Sequence, residues 1–206
     1  MKRHLKIVDK QSRRASGFGI VELLIVAAIA VIMLAIAVPS FLRSYRMYQL
    51  SDAASQVETM MKYTRLEAIR LNTPINCWSR VLPNGDYQIW TDSNKVNNIA
   101  NTVPQASAKQ ITLNADGNMT GVAAVPGTAA IVAATGGTPL TAIAPATATM
   151  LQFDQRGAVV NPAPPYAVFL ANTQNPGAGY RAVIILGSGS VQIWSSSANG
   201  GWHRTY

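Results

Sequence analysis

The sequence predicts an α+β protein in which a long N-terminal helix, apolar in its first half and amphipathic in its second, packs on an antiparallel β-sheet head. Three observations predict it. Residues 18–38, FGIVELLIVAAIAVIMLAIAV, hold one charged side chain, Glu22, and every residue from Leu23 to Val38 is apolar. Residues 40–72 then repeat apolar side chains at helical spacing. From Ile75 onward the pattern changes to short β-rich runs separated by Gly, Asn and Asp turn signals.

The apolar run comes first. At about 1.5 Å rise per residue it spans roughly 30 Å, the hydrocarbon thickness of a bilayer. Before it stand Lys2, Arg3, Lys6, Lys10, Arg13 and Arg14 against the single acid Asp9. Basic residues stay on the cytoplasmic side, so the N-terminus is expected in the cytoplasm and the remainder exported. Most of the formal charge of +8 belongs to this leader. It is therefore no argument for nucleic-acid binding by the rest of the chain.

A plain signal anchor has these features. So does a cleaved secretory signal, since Ala35-Ile36-Ala37 resembles a small-residue cleavage site. Neither accounts for Glu22, because a carboxylate inside an apolar span costs roughly 2–3 kcal/mol and is usually retained for a task. The bland reading is that Glu22, near one end of the span, snorkels to the headgroups.

Gly17-Phe18-Gly19-Ile20-Val21-Glu22 resembles the prepilin signature: a basic leader ending in glycine, then Phe, then Glu at the fifth position after the cut. Pro39 falls where type IV pilins commonly place a proline. The resemblance implies a type IV pilin-like fold, cleavage between Gly17 and Phe18 by a prepilin peptidase, and N-methylation of Phe18. It also implies a role for Glu22 in assembly. In a filament, Glu22 of an incoming subunit neutralises the Phe18 amine of a neighbour, and a buried carboxylate is tolerable only when so paired.

Pro39 lacks an N–H and crowds the preceding turn, which predicts a kink or weak point in the helix. Beyond it, Phe41, Tyr45, Tyr48, Ala53 or Ala54, Val57, Met60 or Met61, Thr64 and Ala68 form an apolar stripe. Asp52, Gln56, Glu58, Lys62, Arg65, Glu67 and Arg70 fill the other face. Asn72-Thr73-Pro74 ends the helix. The expected parts are a leader over 1–17, a transmembrane half over 18–39, an amphipathic half over 40–73 and a β-rich head over 74–206. Thr64-Arg65-Leu66-Glu67-Ala68-Ile69-Arg70 resembles the R-x-E-A-[IV]-x-R stretch of the GspH/FimT branch, matching at Arg65, Glu67, Ala68, Ile69 and Arg70.

In the head, strands are expected at 75–81, 87–91, 110–113, 151–153, 167–171, 181–186 and 191–195. Asn84-Gly85, Asp116-Gly117, Arg156-Gly157 and Gly187–Gly189 are the turn signals. Residues 117–153 carry no charge. They read either as a flexible insertion, about 117–148, or as a subunit-contact surface.

No catalytic constellation, metal cluster or cofactor motif stands in the chain. Cys77 is the only cysteine, which rules out an intramolecular disulfide, and His203 is the only histidine beyond the leader. There is no G-x-S-x-G and no phosphate-binding loop. The expectation is a non-enzymatic subunit driven by a separate ATPase.

Some FimT-like minor pilins capture DNA through a C-terminal G-R-x-R motif. The corresponding place here reads Gly189-Ser190-Val191-Gln192, without either arginine. Arg181, Arg204 and His203 remain for phosphate contact. Trp194, Trp202 and Tyr206 either stack bases or pack the head. The resemblance thus implies a minor pilin of a type IV pilus at or near its tip, a minor pseudopilin of a type II secretion system, or a DNA-capturing minor pilin. Minor rather than major status follows from the branch resembled and from the missing pair of C-terminal cysteines. The implied partners are other pilin or pseudopilin subunits, the prepilin peptidase, the inner-membrane assembly platform and the lipid bilayer.

Overall fold

The computed structural model describes residues 19–92, 104, 108–113, 119–122, 124–143, 149–161, 165–173 and 175–205. The leader, Gly17, Phe18, the Asp116-Gly117 turn and Tyr206 lie outside the described residues.

One helix, α1 (Ile20–Leu71), takes up the first third of the described chain, with Pro39 inside it. In a bilayer every backbone polar group must find a partner within its own segment, so an apolar run of this length has helix as its solution. The chain divides after Leu42 into two compact units. In the first unit every described residue is exposed, Ile20 at 82% and Val38 at 49%. An apolar surface open on all sides is suited to lipid or to other apolar helices rather than water.

In the second unit, α1 buries Leu50, Ala53, Ala54, Val57, Met60, Met61, Thr64, Glu67 and Ala68, a stripe of three- and four-residue steps. Burying each Leu or Met is worth about 1.5–3 kcal/mol. The stripe differs from the expected one at its start. Tyr45 and Tyr48 stay exposed, and the core begins at Leu50. Phe41, in the first unit, is exposed as well. Helix α1 stops in a Schellman motif. Asn72 takes a left-handed φ of 48°, its N–H reaches the Ile69 carbonyl, and the Thr73 N–H reaches that of Ala68, both at 3.2 Å. Pro74 then bars continuation.

Two sheets follow. The first comprises β1 (Ile75–Val81), β2 (Tyr87–Asp92), β3 (Lys109–Leu113), β6 (Thr149–Phe153) and β7 (Val159–Asn161) in the order β3-β2-β1-β6-β7, all antiparallel. The second comprises β4 (Met119–Val122), β8 (Tyr166–Asn172), β9 (Tyr180–Ile185), β10 (Val191–Ser197) and β11 (Gly200–Arg204) in the order β11-β10-β9-β8-β4. The short β5 (Thr141–Ala142) pairs parallel with β8. Asn84-Gly85 turns β1 into β2, with Gly85 at φ 90°.

Side chains alternate across a strand, and the second sheet uses both faces. Val168, Leu170, Val183, Ile185 and Ile193 join the α1 stripe, Tyr87, Ile89, Leu151 and Phe153 in an inner core. Ala167, Phe169, Ala182, Ile184 and Trp194 point the other way, into an outer core with Ile131 and Trp202. Ile131 comes from α2 (Ala129–Ala134), a short helix of the uncharged segment.

The segment expected to be an insertion over 117–148 contributes regular structure where it is described. Its described residues supply β4, α2 and β5, pair with β8 and cover a second apolar face. Trp202 Nε1 donates to the Pro126 carbonyl at 2.9 Å and ties this cover to the last strand. A cover over a buried sheet face has little use for charge, which is a physical reason for the absence of charged residues.

Candidate functional site

The features bearing on function fall in three places. The first is the start of α1. The Leu23 N–H bonds the Gly19 carbonyl at 3.1 Å, and Glu22 lies in the first helical turn, exposed. A carboxylate there faces the unpaired N–H groups and the positive end of the helix dipole, which favours it electrostatically. After Glu22 the next charged residue is Arg43. Pro39 has no N–H for the Ala35 carbonyl, yet α1 continues through it. Among the described residues, α1 is the one helix long and apolar enough to cross a membrane.

The second is the Arg65–Arg70 stretch. Arg65 Nε donates to the Gly157 carbonyl at 3.1 Å. Gly157 closes the β6–β7 turn, where its N–H reaches the Asp154 carbonyl at 2.9 Å. The Asp154 Oδ1 accepts from the Arg156 and Ala158 N–H groups at 2.8 Å. Gly189 closes the β9–β10 turn with an N–H to the Leu186 carbonyl at 2.8 Å. The two glycines meet. A Cβ on Gly189 would strike the Gly157 carbonyl oxygen, and one on Gly157 would press Ile69 and Arg65. Their φ values of 77° and 74° also favour glycine. Arg65 and Ile69 thus seat one turn from each sheet against α1.

Glu67 pairs with Arg70 through both oxygens. Its carboxyl lies below the usual carboxylate range, chiefly because Arg70 hydrogen-bonds the charged form. This stretch is a structural joint. The sequence marked its residues and both turns, but nothing in the pattern said that they touch.

The third is the far end of the head. Arg181 is buried. Its Nε and Nη2 donate to Ser51 Oγ at 3.2 Å, and Nη1 donates to the Tyr180 carbonyl at 2.9 Å. Arg204 is exposed on β11. Trp194 and Trp202 are both 6% exposed and pack in the outer core, Trp202 against Phe169 at 6.1 Å between ring centroids. The tryptophans pack the head; they offer no stacking platform. Arg181 stands opposite Ser195 and Arg204 opposite Trp194, which puts the two arginines on opposite faces of the second sheet. Arg181 instead lines a cleft with Arg43 and His203. Ser51, which holds Arg181, was not singled out by sequence reasoning, since a serine on a helix face carries no signal of a partner 130 residues away.

The family model for the type II transport protein GspH matches residues 53–189, well over half of the chain. Its span begins at Ala53 on the buried face of α1 and ends at Gly189, so both glycine turns and the Arg65–Arg70 stretch lie within it. No curated protein and no solved structure matches the chain.

Proposed function

Because the chain belongs to the GspH family of type II transport proteins, we propose that it is a minor subunit of a type IV pilin-like filament, cut after Gly17 and assembled through its N-terminal helix. A structural role, not an enzymatic one, goes with that family. The observation that carries the proposal is the division of labour along α1. The half up to Leu42 is apolar and fully exposed, while the half from Leu50 to Ala68 is built into the head core. An anchor that must leave the bilayer and enter a filament needs such a surface, because lipid and neighbouring helices are equivalent apolar surroundings for it.

In this reading the protein sits in the bacterial inner membrane with the N-terminus cytoplasmic and the head periplasmic. The prepilin peptidase cuts between Gly17 and Phe18, and Phe18 is N-methylated. Glu22 pairs with the Phe18 amine of a neighbouring subunit, which sets the axial register. Incorporation is at or near the tip of a type IV pilus, where the subunit promotes assembly.

One observation favours a second reading. The matching family is described by type II transport, which supports a minor pseudopilin of a type II secretion system. Deleting the gene in its host separates the two. Loss of surface pili with secretion intact supports the pilus reading. Loss of secreted enzymes with pili intact supports the secretion reading. A wild-type protein that keeps its leader, or is cut after Ala37, refutes both. DNA capture has less behind it, since both tryptophans are buried and Arg181 and Arg204 lie on opposite faces of the second sheet.

A further inference from the structure

Arg181 is a buried guanidinium whose three hydrogen bonds all go to neutral oxygens. Among the described residues no carboxylate ion-pairs with it. Burial lowers its pKa, and a buried charge without a counter-ion is costly. Its N–H donors outnumber those three bonds. It opens on one side into a cleft of about 270 Å³ lined also by Arg43, Met47, Ser195, Ser196 and His203. His203 Nε2 and Ser195 Oγ lie 2.7 Å apart, leaving the second ring nitrogen of His203 uncommitted. Among the described residues no acid lines this cleft. Asp52 is the acid in the adjoining hollow, on the other side of Arg181, where its carboxylate accepts from Gln56 at 2.8 Å.

We propose that this cleft is a phosphate site that takes the headgroup of a phospholipid while the subunit waits in the membrane. Two arginines and an imidazole converging without an acid suit a compact oxyanion, and arginine forks match phosphate geometry. The volume lies just below the roughly 300 Å³ at which drug-sized ligand sites begin. Position selects the source of the phosphate. Arg43 follows Val38 by five residues, about 7.5 Å of helix. The polar layer of a bilayer is roughly 5–8 Å deep on each side. A helix embedded up to Val38 therefore brings Arg43 to headgroup depth. The inference rests on the reading that α1 is membrane-embedded.

The test uses the full chain purified from membranes in dodecylmaltoside. Binding of dihexanoyl-phosphatidylglycerol, dihexanoylglycerol, inorganic phosphate and a short DNA duplex is followed by titration. The phosphatidylglycerol is expected to bind and the phosphate-free diacylglycerol not to. Arg43→Gln and His203→Ala, both on exposed side chains, should each weaken lipid binding about tenfold. Arg156→Gln, which removes an exposed charge elsewhere on the head, should leave it unchanged. Equal weakening by Arg156→Gln, undiminished binding in the Arg43→Gln/His203→Ala double variant, inorganic phosphate binding as tightly as the lipid, or tighter binding of DNA than of lipid would each overturn the proposal. Alkaline carbonate extraction of the same chain from membranes tests the anchoring separately. Release into the soluble fraction sinks the anchoring, whatever the titration gives.

Discussion

Arg65 Nε bonds the Gly157 carbonyl oxygen, and that same oxygen is the atom a side chain at Gly189 would strike. One helix residue thus fixes a turn of each sheet. Gly189→Ala should cost about 2–4 kcal/mol, from the left-handed backbone and the overlap together. At roughly 2–4 °C per kcal/mol for a head of this size, thermal unfolding should drop by about 4–16 °C. Arg65→Ala should cost about 1.5–3 kcal/mol, the worth of a charged hydrogen bond. A Gly189→Ala melting curve that overlays the wild type would show that the turns do not meet.

Processing and assembly should separate at the N-terminus. Gly17→Ala is expected to leave the leader attached, read as the mass of the intact chain from membranes. Glu22→Ala is expected to be cut normally yet fail to enter filaments, because it removes the pairing charge and leaves the scissile bond alone. Failure of cleavage in Glu22→Ala would assign Glu22 to peptidase recognition instead.

Acid should weaken the α1 end through Glu67. Its folded carboxyl is held below the unfolded value by Arg70. That contribution is therefore full above the unfolded value of about 4.5 and fades as pH falls through the folded one. Arg70 is largely exposed, so the effect is small. Urea unfolding of wild type and Glu67→Gln should differ at pH 7 and converge at pH 3. A gap that persists at pH 3 would rule out the charge as its source.

Cys77 should be inert in the folded protein. It is buried on β1, and burial pushes its thiol up to about 12. The reactive thiolate is then on the order of 10⁻⁴ of the population at pH 8. A thiol reagent should label less than one equivalent in native buffer and a full equivalent in denaturant. Rapid native labelling would show that the strand opens.

Trp202→Ala should loosen the cover over the second sheet. It removes an aromatic from the outer core and the bond to Pro126, and such losses run to about 3–5 kcal/mol. Limited proteolysis should then cut within residues 124–143 before any other part of the head. First cuts elsewhere would mean that this segment is held by other contacts.

The helix, its stripe and seven strands were legible because each obeys a simple period or ends at a turn residue. Strand β2 follows Asn84-Gly85, and β8 is a continuous apolar run. What escaped is what local pattern does not carry. Strand β4 runs through Gly121 in an Ala- and Thr-rich stretch without alternation. Helix α2 has only six residues, AAIVAA. Strand β7 has only three, and β11 opens on Gly200-Gly201, which reads as a turn. These pieces acquire structure from the sheet face they cover. The exposure of Tyr45 and Tyr48 was likewise invisible, since helical spacing says which residues share a face but not where the neighbour begins.

The bond from Trp202 to Pro126 joins residues 76 apart, and the outer core has no other tryptophan on β11. As the chain emerges N-terminus first, the cover over residues 124–143 is made long before the strand that fastens it. Until then the outer face of the second sheet lacks the residue that ties its cover down, and the completed head is a product of the final moments of synthesis. A chain stalled short of Trp202 would hold all of α1 while lacking this fastener, which makes the last strand the step that completes the head.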